Sequence, residues 1–414
     1  MAPVPRILLA DCDAMFVAVA RMEDPEGAGR SALLVVGGSA TSRGVVCSAS
    51  YEVRAFGVRS GMAIATAARL CPDAMFVPVP RQSCGRKSRE LAATLAAWAP
   101  VVEAASIDEF YLDMTGTEMV YRGENLADTA GRIREAAQRT TGLTVSIGGG
   151  TNRLIAKLAA ERAKPRPGTD GTGVYIVPPG GEGEFLATHR LADIPGVGPR
   201  LQSTLGRYGL EWVKDALRVD QRDFEAWLGP RTGAWLYERI RGRAGSSLEP
   251  DAEAKSMSRE ETFACDIADS DAVEAELLRL TTRLGAELRT DQLAARCVTV
   301  KLRDFDFKTR HASRTVAEPI DTDRAIYSVG RELYRSLRSR RKVPARLIGI
   351  GLSRFEPLPF VGQLSLLAEG GPAACLETPR DRAVSKAVDK INQRFGKDSV
   401  QPARVSGGPS RRQP

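Results

Sequence analysis

The chain has 414 residues, 43% hydrophobic and 27% charged, a globular balance in a length that calls for several domains, since single cores stop growing beyond ~250–300 residues. Lys and Arg number 59 against 51 Asp and Glu, a modest net charge of +8, so any polyanion contact has to come from local clustering of charge. No apolar run approaches the ~20 residues of a membrane span, no signal-peptide core opens the chain, and seven cysteines without CxxC spacing beside two histidines argue against zinc and disulfide frameworks; a soluble protein of the reducing cytoplasm is expected.

The first apolar run, Ile7-Leu8-Leu9-Ala10, predicts a core strand that delivers Asp11-Cys12-Asp13 at its end. A helix is expected within residues 85–99, then two short strands at 101–105 and 110–114 around Ser106-Ile107-Asp108-Glu109. Adjacent carboxylates on a regular strand point to opposite faces. Asp108 and Glu109 therefore approach one point only if the chain turns there, and the flanks permit a hairpin tip. Clustered carboxylates repel unless a cation neutralises them, and hard oxygen ligands favour Mg²⁺. Two strand ends carrying acids suit a two-metal centre for phosphoryl transfer. An Asp-Glu pair taken alone is more often a solvated turn. A further helix is expected at 123–140. Residues 143–147 then alternate as a strand into Gly148-Gly149-Gly150, and Leu154, Ile155, Leu158 and Arg162 mark a helix ending before Pro165. The mixture, to about residue 167, predicts an α+β class with a largely antiparallel sheet.

Residues 168–242 read as mostly helical, with Pro-Gly turns at Ile194-Pro195-Gly196-Val197-Gly198-Pro199 and at 228–233. A helix restarting after Pro-Gly-x-Gly leaves N–H donors suited to a phosphate oxygen. The same composition equally suits a plain helix-to-helix turn. Residues 243–254 have linker composition. Residues 255–355 then follow a βαββαβ order, a split βαβ arrangement, with helix stripes Val273, Leu277, Leu280, Leu284, Leu288 and Ile326, Val329, Leu333, Leu337. Alternation sets Thr299, Lys301 and Arg303 opposite Val298, Val300 and Leu302, so one sheet face is expected to be positive. Arg335, Arg338, Arg340, Arg341, Lys342, Arg346 and Arg354, with Lys308 and Arg310 nearby, form the basic cluster that points to phosphate contact. Beyond residue 356 the sequence loosens, apart from a modest helix at 380–395, and the last residues are polar.

Taken in order, these residues resemble the Y-family, translesion DNA polymerases, and within them the bacterial DNA polymerase IV type. Ala10-Asp11-Cys12-Asp13-Ala14-Met15-Phe16 and Ser106-Ile107-Asp108-Glu109 match the family's two metal-binding motifs. Ser50-Tyr51-Glu52-Val53-Arg54-Ala55-Phe56-Gly57-Val58 resembles its fingers motif, and Ala163-Lys164-Pro165 carries its palm lysine. The resemblance implies a right-hand polymerase: palm over 1–13 and 80–167, fingers over 14–79, a helix-hairpin-helix thumb over 168–242, a linker over 243–254, a little finger over 255–356 and a tail over 357–414.

By that resemblance Asp11 and Asp108 bridge two Mg²⁺ ions (Mn²⁺ as substitute), the Cys12 carbonyl helps hold the nucleotide metal, and Glu109 completes the catalytic one; Asp13 is supportive. Ser48, Tyr51, Arg54 and Lys164 contact the triphosphate of a dNTP, and Phe16 is a steric gate against ribonucleotides. Gly196, Gly198, Lys301, Arg303 and Arg354 contact primer-template DNA. Gln363, Leu364, Leu366 and Leu367 resemble a peptide that docks on the sliding β-clamp. The implied enzyme is a monomeric polymerase of low fidelity without proofreading, acting in translesion synthesis. Met15, Ala20 and Phe110 depart from the family pattern and bear on fidelity and lesion preference. An inactive DNA-bound scaffold is the alternative, marked by loss of the acids, which all stand. A helix-hairpin-helix nuclease or glycosylase leaves Tyr51, Arg54 and Lys164 unexplained.

Overall fold

Strand Ile7–Cys12 is the axis of the first unit. It pairs antiparallel with Glu109–Asp113 on one side and with Val145–Gly150 on the other. Val101–Ala104 and the parallel strand Val174–Ile176 complete five strands. The period of two sorts the central strand's side chains. Leu8, Ala10 and Cys12 pack with Leu91 and Leu95 of helix Arg81–Ala96 and Ile133 and Ala137 of helix Leu126–Thr141. Ile7 and Leu9 face the other way, against Ala156 and Ala160 of helix Arg153–Ala163. Covered on both sides, each Leu or Ile contributes about 1.5–3 kcal/mol by burial. The computed structural model describes residues 3–165, 171–250, 253–358, 376–396 and 399–406, in two compact units, Met1–Ala252 and Glu253–Pro414.

The glycine run belongs to the strand rather than to a turn after it. A Cβ on Gly148 would lie 1.8 Å from the backbone nitrogen of Ala160 and 2.3 Å from the carbonyl of Ala156. Only glycine lets helix Arg153–Ala163 approach so closely. Asn152 starts that helix, its side chain accepting from the Ile155 N–H at 3.1 Å. Helix Leu126–Thr141 is capped by Asn125 and closed by Gly142 at φ 74.

A small sheet, Ser48–Ala49, Leu34–Val36 and Met75–Val77, forms a second core with Val53, Val58, Ile64 and Ala67. Helix Met15–Glu23 joins it to the large sheet through Val17, Ala20, Leu34 and Val36. Residues 182–239 hold five helices around Phe185, Leu205, Val213, Phe224 and Leu236. Two expectations change here. Strand Val174–Ile176 belongs to the large sheet, although its residues read as the start of the helical segment; three residues are too few to show a period. The segment before the first Pro-Gly turn is a single 3₁₀ turn, Leu191–Asp193, not an α-helix.

The second unit keeps the βαββαβ order: Ser256–Ile267, helix Ser270–Thr290, Leu293–Asp304, Thr309–Ile320, helix Asp323–Arg340 and Ala345–Pro357. Every neighbouring pair is antiparallel, and Ala345–Pro357 lies between the first and second strands. Both crossovers are therefore split. Val298, Val300 and Leu302 are buried beneath the two helices with Leu277, Leu284 and Val329. Helix Pro379–Phe395 is seated on this unit by Arg289, whose nearly buried guanidinium bonds Asp389 at 2.7 Å and Asp323 at 2.8 Å.

Candidate active site

Register brings the acids together. Asp11 stands directly opposite Glu109, and both share the parity of Leu9 and Tyr111, so both face the side covered by helix Arg153–Ala163. Asp108 lies in the turn just before, and its carbonyl accepts the Cys12 N–H at 2.9 Å. Ser106 fixes that turn: its hydroxyl donates to the Asp108 carboxylate and accepts the N–H of Glu109 at 3.1 Å.

Lysines answer the two strand acids. Lys164, at the end of helix Arg153–Ala163, bonds Asp11 at 2.8 Å and Glu161 at 2.9 Å. Lys157, two helical turns earlier, bonds both oxygens of Glu109 at 2.6 and 2.7 Å. Lys157 was missed in the sequence, although its spacing of seven from Lys164 puts the two on one helix face. Burial pushes the Asp11 carboxyl up to about 6; Lys164 pulls against this, and Glu109 and Asp108 add to it. Burial works against the Lys164 ammonium too, but Asp11 and Glu161 outweigh it and raise its pKa. The Cys12 thiol is raised by burial and by Asp108, Asp11 and Asp13, a measure of how much negative charge meets here.

Asp13 is turned to Ser146, which donates to it at 2.8 Å, and its carboxyl is raised by burial. Among the described residues no three His, Cys, Asp or Glu side chains are closed around one point; Asp11 and Glu109 are bonded to their lysines instead. The donor set nonetheless fits hard divalent cations: three carboxylates at two adjacent strand ends, the innermost of them hindered from ionising chiefly by burial and further by its two acidic neighbours.

Phe16 is half-buried in the first turn of helix Met15–Glu23, packed between the large-sheet core and the small-sheet core. Ser48 is buried on its short strand. Tyr51 and Arg54 share helix Tyr51–Arg54, the guanidinium 4.8 Å from the ring centroid and its Nε donating to the Ala49 carbonyl at 3.0 Å. Tyr51 and Arg54 thus form one group, while Lys164 belongs with Asp11. The departures Met15, Ala20 and Phe110 are all buried.

Gly198 caps helix Pro199–Gly206 without a side-chain bond, and Gly196 takes φ 101 against Trp235. In the second unit the expected positive face is mixed: Lys301 reaches across Gly349 of the intervening strand to Glu260 of the edge strand Ser256–Ile267 at 2.7 Å. Arg303 donates to Thr309 at 2.8 Å, and Arg354 reaches Thr315 at 3.4 Å. Much of the basic run is also structural. Arg335 is held by Glu274, Arg338 by the Ala268 carbonyl, and Arg310 and Arg341 by buried Asp304. Except for Asp304 beside Arg310, those partners lie far away in sequence, so the run alone exaggerates the charge left for phosphates. Gln363, Leu364, Leu366 and Leu367 lie outside the described residues.

The chain is similar to known proteins over most of its length. Residues 10–161 match the impB/mucB/samB family and residues 254–366 its C-terminal domain. The chain is 33% identical to DNA polymerase IV of Desulfatibacillum aliphaticivorans, covering 96% of each chain. It is 36% identical to DNA polymerase IV of Halorhodospira halophila over 85% of this chain and 96% of that one. Among solved structures, the Y-family DNA polymerase chimera Dbh-Dpo4(243-245)-Dbh superposes with a TM-score of 0.74 at 25% identity, over 84% of this chain and 98% of that one. An insertion ternary complex of Dbh DNA polymerase gives 0.59 at 25% identity, over 86% of this chain and 100% of that one. The chain belongs to the impB/mucB/samB family, the Y-family of DNA-directed DNA polymerases. The curated relatives quoted, matched over nearly their whole length, carry the name DNA polymerase IV.

Proposed function

We propose that the chain copies DNA templates with low fidelity, adding dNTPs to a primer 3′-hydroxyl and tolerating damaged templates. The carrying observation is the placement of Asp11 opposite Glu109 with Asp108 in the adjoining turn. Asp11 and Asp108, with the Cys12 carbonyl and Glu109, would hold two Mg²⁺ or Mn²⁺ ions. When bound, such ions lower the pKa of the attacking hydroxyl and stabilise charge on the transferred phosphoryl group. Lys164 and Arg54 supply a point charge and a planar fork for the triphosphate, with Tyr51 and Ser48 beside them. Phe16 closes the space a ribose 2′-hydroxyl needs.

In this reading residues 1–13 and 80–167 are the palm, 14–79 the fingers, 168–242 the thumb and 255–356 the little finger. Gly196 and Gly198 offer thumb donors to a DNA phosphate, and Lys301, Arg303 and Arg354 line the little-finger contact. Gln363, Leu364, Leu366 and Leu367 tether a monomer to the sliding clamp. Primer extension with Mg²⁺ and dNTPs is the test. Extension that fails in Asp108→Asn while DNA is still bound supports the reading. Binding without turnover by the unaltered chain favours the scaffold, and strand cleavage favours a nuclease.

A further inference from the structure

The turn joining strands Leu293–Asp304 and Thr309–Ile320 carries two aromatic rings that packing does not use. Phe305 is 47% exposed and Phe307 63% exposed. Phe307 also sits at φ 65, a left-handed conformation that suits glycine and strains a bulky residue. Turn chemistry favours glycine at this position, and core formation gains little from a ring left in water. Strained backbone presenting an unburied ring marks a contact with something else.

The platform under the rings is stiff. Phe307 N–H donates to the Asp304 carbonyl at 3.0 Å, Asp304 N–H to Lys308 at 2.9 Å, and Phe305 N–H to Pro344 at 3.0 Å. Beneath them the buried Asp304 carboxylate accepts from Arg310 at 2.8 Å and Arg341 at 2.6 Å, and Arg341 also bonds Asp306 at 2.8 Å. Both aspartates are therefore neutralised. What remains around the rings is positive. The Arg346 guanidinium, paired with Asp266 at 3.9 Å, lies 4.4 Å from the Phe307 centroid. Lys308, Arg340 and Lys342 are exposed, with no ion-pair partner among the described residues.

We infer that Phe305 and Phe307 form a stacking platform for an unpaired base of a DNA strand whose phosphates meet Lys308, Arg340 and Lys342. A wholly apolar partner would desolvate these cations without a counter-charge. A strand with aromatic bases and anionic phosphates satisfies rings and cations together. That the strand is DNA rests on the polymerase reading; the stacking itself does not.

The test uses the full chain and a Phe305→Ser/Phe307→Gly double variant, in which glycine relieves the left-handed residue and preserves the turn. Anisotropy of a fluorescein-labelled oligothymidylate is read across a salt series. The expected result is an affinity loss of about 10-fold or more, as for removal of a stacking ring. The melting temperature should not fall, and the slope against salt should stay the same because no charge is removed. Unchanged affinity overturns the inference, and so does a loss accompanied by a shallower slope. Self-association of the unaltered chain that disappears in the variant, with strand affinity intact, assigns the rings to a protein contact and also overturns it. Primer extension on the same preparations reports the polymerase reading separately, since its failure leaves the oligothymidylate result standing.

Discussion

Asp11 and Glu109 face each other across a strand pair, and each gives its charge to a lysine of the same helix, Lys164 and Lys157. A divalent cation binding these acids must compete with both ammonium groups. The Lys157–Glu109 pair is about a third exposed on one side and a quarter on the other, so solvent screening leaves it about 0.5–1 kcal/mol. Lys157→Ala should therefore lower the Mg²⁺ concentration for half-maximal extension by about 2- to 5-fold. Titration of Mg²⁺ at saturating dNTP measures this apart from kcat. A higher Mg²⁺ requirement in the variant would show that Lys157 assists the site rather than competing for it.

Glu109→Gln and Asp108→Asn keep shape and remove charge. Each should reduce extension by about 10³-fold or more, the scale for groups that hold transition-state charge. Affinity for primer-template DNA should change by less than about 3-fold, since the acids make no favourable phosphate contact. Turnover near normal in either variant contradicts the assignment of the acids.

Asp11 gives the pH dependence. Its carboxyl rises from 3.8 to about 6 on folding. Between those values the folded chain keeps a proton the unfolded chain has released, so stability declines as pH rises from about 4 to about 6. The side chain is only 13% exposed, and the deficit above pH 6 is about 3 kcal/mol. Asp11→Asn should therefore melt higher than the unaltered chain at neutral pH in chelator, while losing activity. Mg²⁺ should raise the melting temperature of the unaltered chain and leave the variant unmoved. Calorimetry at pH 4 and pH 7.5 checks both, and equal melting of the two proteins at pH 7.5 in chelator refutes the role of burial.

The acids were legible because strand parity and the turn at Ser106 are local properties. Asp11 follows an apolar run, and the Asp108-Glu109 pair sits between two short ones. Helix stripes such as Val273 to Leu288 were equally plain, since 3.6-residue periodicity survives without knowledge of partners. Lys157 escaped because no motif marks it until Glu109 arrives from 48 residues away. The charge of the run around Arg335 to Arg346 was misjudged for the same reason: Glu274, Asp304 and Asp306 reach it only through the fold. The place of Gly148 in a strand is a packing fact, set by a helix backbone and invisible to composition.

Phe16 bridges two cores and is only partly buried. Phe16→Ala should admit ribonucleotides, narrowing the discrimination between dNTPs and rNTPs by about 10²-fold or more, because a shape filter disappears with the ring. The stability loss should be about 1–2 kcal/mol, below the 3–5 kcal/mol of a fully buried Phe. Single-nucleotide incorporation with matched dNTP and rNTP measures the ratio. Unchanged sugar selectivity removes the gate role and leaves Phe16 a packing residue.

Gly148 links packing to the site. Its Cβ would meet backbone atoms of Ala156, Ala159 and Ala160 at 1.8–2.4 Å, and backbone cannot yield as a side-chain tip can. Gly148→Ala must push helix Arg153–Ala163 off the sheet or distort the central strand pair. The destabilisation should be about 3 kcal/mol or more, at the upper end for overpacking, because the clash is with a whole helix. That helix carries Lys157 and ends at Lys164, so a displaced helix also loosens both acid–lysine pairs. Gly131→Ala, where a Cβ meets nothing within 4 Å on helix Leu126–Thr141, is the control and should hold or raise stability. At a temperature where Gly148→Ala is still folded by circular dichroism, its extension rate should already be reduced. A folded Gly148→Ala with full activity and normal melting would mean the strand and helix tolerate a separation this packing denies them.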